Sequence, residues 1–126
     1  MGTYLSTPVL DKHKETGTAL RDPCYKENNK DVDGNKQEDE GVFDMLWAAV
    51  DMQGWRKTME DAFIAEANVS IGEKRAQVFG VFDGHGGSEV ALFCKKYFVS
   101  KLVGTDGWKA GEVGQSLVQA FHGMDD

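Results

Sequence analysis

An α+β fold, with helices packed on an antiparallel sheet, is what the order of apolar periodicities predicts. Three stretches, 47–52, 62–69 and 75–83, read as strands, and all of them precede two stretches of helical period. Between the second and third strands, residues 70–74 contain Gly72, a spacing that suits a tight turn.

The first strand runs Trp47–Met52 and ends at a Gln53-Gly54 turn. The second, Ala62–Val69, has Glu66 as the charge inside an otherwise apolar run. The third, Arg75–Asp83, sets Val78, Phe79, Val81 and Phe82 on both pleat faces, which predicts a buried central strand. A short turn between the last two makes them an antiparallel pair. A helix follows Gly86-Gly87, with Ser88 as its N-cap and Glu89 in the positive first turn. Ala91, Cys94, Phe98 and Leu102 recur at helical spacing, and Gly104 is a stop signal. A last helix spans Gly111–Met124, its apolar stripe formed by Val113, Leu117, Val118 and Phe121. Such a run buries a core on one side of its sheet only. Trp47 and Trp55 read as packing residues, as does Cys94 on the first helix.

Composition divides the chain. Residues 1–46 hold 10 acidic and 6 basic side chains, and within them 22–41 are too polar and charged to bury the apolar area that would offset ordering entropy. This gives an N-terminal segment (1–17), an acidic loop or insert (18–46) and a core-forming region (47–126). The net charge of −7 argues against nucleic acid as the partner. No run approaches the ~18 apolar residues of a membrane span. The opening MGTYLSTPVLDK lacks the basic and apolar regions of a secretory leader. Two cysteines make no disulfide framework, so a reducing, cytoplasmic compartment is expected.

Two acidic clusters carry the chemistry. Arg56-Lys57-Thr58-Met59-Glu60-Asp61 precedes a strand, and Asp83-Gly84-His85-Gly86-Gly87 follows the strand paired with it. Antiparallel pairing brings Glu60, Asp61 and Asp83 toward one end of the sheet. Carboxylates that close repel unless a cation neutralises them, and oxygen-only ligands favour Mg²⁺, Mn²⁺ or Ca²⁺. Gly84 permits a sharp turn that exposes its carbonyl as a further ligand. Arg56 has the fork that binds phosphate bidentately, and His85 is of the residue type that moves protons in general acid–base chemistry. Each residue alone is commonplace on a protein surface. Their conjunction at strand ends points to metal-assisted phosphoester hydrolysis.

The strings MQGWRKTMEDAF (52–63) and VFGVFDGHGGSEVALF (78–93) closely resemble the type 2C metal-dependent serine/threonine protein phosphatases, as does the opening MGTYLSTP. The resemblance covers residues 1–17 and about 45–126. It implies the N-terminal part of an αββα sandwich and hydrolysis of phosphoserine and phosphothreonine in phosphoprotein substrates. It implies a pair of Mg²⁺ or Mn²⁺ ions, with Asp83 bridging them and Gly84 offering its carbonyl. Glu60 and Asp61 would ligate directly or through water, Arg56 would grip the phosphate, and His85 would protonate the leaving oxygen. A metal-bound hydroxide would attack phosphorus in line. Family domains continue further and draw more aspartates into the metal site, whereas only Asp106, Asp125 and Asp126 follow His85 here. The expectation is an N-terminal fragment, inactive by itself and lacking the opposing sheet. The alternative is a truncated homologue serving as a binding or scaffold module.

Two weaker signals remain. Met1-Gly2-Thr3-Tyr4-Leu5-Ser6 fits the N-myristoylation pattern at Gly2. A single acyl chain gives only marginal, reversible membrane association. Residues 31–35 look like a calcium loop, but Lys36 and Val42 fall where an EF-hand needs its glycine and glutamate.

Overall fold

The computed structural model describes residues 4–20, 43–71 and 74–126. Gly2, Cys24 and the stretch 31–35 lie outside these residues. The chain order is β1 (Tyr4–Leu20), β2 (Phe43–Arg56), β3 (Ala62–Ile71), β4 (Lys74–Phe82), α1 (Glu89–Gly104), α2 (Asp106–Lys109) and α3 (Val113–Asp125). The α+β class and the antiparallel pairing of the last two strands are as the sequence predicts.

The strands form two antiparallel pairs, β1 with β2 and β3 with β4. In the second pair the register runs from Ala62 opposite Phe82 to Ile71 opposite Lys74, broken by one irregularity between Glu66 and Val69. One face of this hairpin carries the core. Ile64, Phe98, Leu102, Trp108 and Ala120 form its buried centre, with Val69, Ile71, Ala76, Val78 and Phe82 of the hairpin packed against it. Phe98 of α1 meets Phe82 and Phe121 edge-on, at ring-centroid distances of 5.8 and 5.3 Å.

The other pair departs most from expectation. The sequence assigns no strand before Trp47, yet β1 pairs with β2 from Tyr4 opposite Arg56 to Leu20 opposite Phe43. Its pairing slips between Tyr4 and Val9, the interval that holds Pro8, a residue without the N–H a ladder needs. β2 is correspondingly longer than Trp47–Met52. The Gly54 turn does not end it; Gly54 sits inside the strand at φ 66°. The boundaries after residues 17 and 46 therefore fall within paired strands. Gly17 lies opposite Trp47, and the indole occupies the space a Cβ would fill, 2.6 Å from the nearest ring carbon.

The expectation that opposing strands are lacking is corrected, while the buried core stays on the helix side. His13 of β1 stacks on Phe63 of β3 at 5.4 Å, and Trp47 of β2 meets Phe79 of β4 edge-on at 5.9 Å. Lys95 of α1 places Nζ 4.9 Å from the Phe63 ring centre. The first hairpin thus faces the second across an apolar cavity of about 810 Å³ lined by residues of β2, β3 and β4. Trp55, expected to pack, is 55% exposed instead.

The helices follow the sequence on one face and not on another. On α1, Ala91, Phe98 and Leu102 are buried and Cys94 is half-buried, as its stripe predicts. Ser88 precedes α1 without a capping hydrogen bond from its side chain. On α3 the buried residues are Ser116 and Ala120, whereas Val113, Leu117, Val118 and Phe121 are exposed. Small side chains let α3 come close: a Cβ on Gly107 of α2 would lie 2.6 Å from the Ser116 nitrogen. The short α2 was not foreseen. Thr105 donates its hydroxyl to the Leu102 carbonyl at 2.7 Å and accepts from the Trp108 amide at 3.1 Å, closing α1 and opening α2. The Trp108 indole then donates to the Ser70 carbonyl at 2.9 Å, tying α2 to β3.

Candidate active site

The antiparallel register of β3 and β4 builds the site. Ala62 lies opposite Phe82, so Asp61 and Asp83 each stand one residue beyond that pair, at the same end of the hairpin. The connection from β2 to β3 passes over this end. A cavity of about 550 Å³ opens there, lined by Arg56, Glu60, Asp61, Asp83 and Gly84 among others. Three carboxylates and two cations, Arg56 and Lys57, share its wall.

Local geometry holds the connection. Thr58 donates its hydroxyl to Glu60 Oε1 at 2.9 Å. Gln53 donates its side-chain amide to the carbonyls of Arg56 and Lys57, at 2.9 and 3.0 Å. Gly84 packs so closely that an added Cβ would overlap the Glu60 carbonyl oxygen and lie 3.1 Å from Ala91 Cβ. The tight spacing of the two acidic clusters is therefore a backbone contact that only glycine allows. Gly86 and Gly87 take φ of 72° and 128°, which carries the chain out of the site and into α1.

Arg56, Glu60, Asp61, Asp83 and Gly84 are thus brought to one cavity, while His85 is exposed on the adjoining turn and does not line it. Gln53 and Thr58 also line it. Nothing in their residue types marks them; they emerge only from the hydrogen bonds they make. The oxygen donors are of the kind a hard divalent cation takes. Among the described residues, however, no three His, Cys, Asp or Glu side chains converge closely enough to hold a metal ion. The donor chemistry fits the ions named above; the arrangement of these residues alone does not.

One hairpin end thus gathers three carboxylates and an arginine under a glycine-rich turn, in a chain of mixed α and β structure. The chain belongs to the protein phosphatase 2C family, whose family model matches residues 46–126. It is 38% identical over all of its 126 residues to probable protein phosphatase 2C 21 of Arabidopsis thaliana, and covers 28% of that protein. The same identity relates it to probable protein phosphatase 2C 11 of Oryza sativa subsp. japonica, again over 28% of the relative. Protein phosphatase 2C 1 of Paramecium tetraurelia is also 38% identical over the whole chain, which spans 33% of it. The chain therefore spans about a third or less of the length of these relatives.

Proposed function

We propose that these residues serve, as the N-terminal part of a larger phosphatase, in the hydrolysis of phosphoserine and phosphothreonine in proteins. The observation that carries this reading is the shared cavity of Arg56, Glu60, Asp61, Asp83 and Gly84. Family members are generally Mg²⁺- or Mn²⁺-dependent, and such ions make water nucleophilic near neutral pH. Arg56 binds the substrate phosphate, its guanidinium matching two phosphate oxygens at once. Asp83, Glu60, Asp61 and the Gly84 carbonyl form the chain's share of an oxygen ligand set for two such ions. His85, on the turn beside the cavity, gives a proton to the departing serine or threonine oxygen.

The 126 residues alone are inactive in this reading, because their own carboxylates do not converge into a ligand set. A phosphopeptide assay with Mn²⁺ tests both parts. No turnover is expected from the 126-residue chain, and turnover is expected from the protein expressed from its complete open reading frame. Robust turnover by the chain alone refutes the first part, and an inactive complete product refutes the second. The latter result favours the alternative, a binding or scaffold module that retains this part of the fold.

Cytoplasmic location with reversible membrane association through an acyl chain on Gly2 completes the proposal. Its support is the sequence pattern alone, since Gly2 lies outside the described residues. No described helix is long and apolar enough to cross a membrane. A Gly2→Ala variant should leave the membrane fraction; one that fractionates like wild type counts against acylation.

A further inference from the structure

We propose that Gln53 is the positioning residue for Arg56, an inference that rests on the reading of Arg56 as the phosphate-binding group. β2 ends at Arg56, and residues 57–61 belong to no strand or helix. Past the Arg56–Tyr4 pair, no ladder among the described residues orients the peptide planes. The Gln53 side-chain amide supplies that orientation. Its nitrogen donates to two successive carbonyls, those of Arg56 at 2.9 Å and Lys57 at 3.0 Å. Both amide protons are thereby used, and the geometry fixes the amide's sense, because a carbonyl oxygen in that place would face two others.

Gly54, left-handed at φ 66°, follows Gln53, whose side chain reaches forward to carbonyls three and four residues on. The Arg56 carbonyl lies in the peptide plane that follows its Cα; with the strand side of Arg56 held opposite Tyr4, pinning that plane sets the direction of the Arg56 Cα–Cβ bond. That matters because the Arg56 side chain is exposed and, among the described residues, makes no ion pair or side-chain hydrogen bond. Its aim depends on the backbone beneath it. Gln53 lines the same cavity as Arg56, so the clamp and the guanidinium act on one space. A small misplacement of a positioning group is enough to lose much of its effect on a bound ligand.

Gln53→Met keeps the length of the side chain and removes both donors. The test uses the 126-residue chain and inorganic phosphate, followed by NMR at the Arg56 side-chain N–H, with backbone order parameters for residues 56–61 and a urea midpoint for each variant. Wild type should bind phosphate and Arg56→Ala should not. Gln53→Met should bind about tenfold more weakly, the scale of one lost charge-assisted hydrogen bond. Its urea midpoint should be unchanged, and its order parameters at 56–58 should fall from about 0.85 toward about 0.6. Gln53→Met binding phosphate like wild type overturns the inference. Wild type failing to bind phosphate refutes the Arg56 reading instead, and the order parameters then decide: unchanged values in Gln53→Met overturn the clamp as well. Should Gln53→Met not fold, Gln53→Ala takes its place with the same readouts.

Discussion

Gly84→Ala adds one methyl group where the structure has no room for it. The new Cβ would overlap the Glu60 carbonyl oxygen and stand 3.1 Å from Ala91 Cβ, and neither neighbour is the free end of a flexible side chain. Relief requires the β2–β3 connection or the start of α1 to shift. Forcing a methyl group into so close a contact costs about 1–3 kcal/mol. At about 2 kcal/mol this lowers the melting temperature of a domain this size by about 8 °C. Two other glycines separate contact from conformation. Gly86 has φ 72° and no atom within 4 Å of its added Cβ, so alanine there costs backbone strain alone, about 1–2 kcal/mol. Gly104 also has open space and no positive φ, so alanine there stabilises by about 0.4–1 kcal/mol. Urea unfolding followed by tryptophan fluorescence should rank Gly104→Ala above wild type, then Gly86→Ala, then Gly84→Ala. Only Gly84→Ala should move the amide resonances of Glu60 and Asp61. If Gly84→Ala is as stable as wild type and leaves those resonances in place, the close packing of the two acidic clusters is not as described.

Three further outcomes follow from the same geometry. Leu102 is 2% exposed at the centre of the core, so Leu102→Ala should cost about 2–5 kcal/mol in urea unfolding. Trp108→Phe removes the donor to the Ser70 carbonyl and should cost about 1–3 kcal/mol, with hydrogen exchange quickening at α2 and the end of β3. Calorimetric titration of the 126-residue chain with Mn²⁺ should give weak binding that Asp83→Asn abolishes; equal heats from both proteins would remove Asp83 from the cation site.

The parts of the fold that were legible in sequence are those set by local pattern. β3, β4 and α1 carry dense apolar signals, and the turn between the strands is short enough to dictate their pairing. β1 was not legible, because Asp11-Lys12-His13-Lys14-Glu15 shows no alternation and its strand state depends on pairing with residues remote in sequence. The face of α3 was misjudged for a related reason. Periodicity identifies an apolar stripe, but close approach to Gly107 and Gln119's acceptance of the Gly107 amide at 3.0 Å favour the side with Ser116 and Ala120. For the candidate site, the two motifs and a predicted hairpin were enough to place Asp61 beside Asp83. The supporting hydrogen bonds of Gln53 and Thr58 were not readable, since they depend on side-chain directions that spacing does not encode.

The two hairpins also differ in what their formation demands. In β3–β4 the innermost partners, Ile71 and Lys74, are three residues apart; in β1–β2 they are Leu20 and Phe43. The entropy of closing the longer loop must be met before any β1–β2 contact forms, whereas the shorter hairpin and α1 draw on neighbours in the chain. The segment bearing Asp83 and the Gly84 turn is therefore expected to order early, and the strand that delivers Arg56 to dock later against the face of the finished hairpin. Pulse-labelled hydrogen exchange should accordingly protect the amides of Phe63 and Val81 before those of His13 and Asp51.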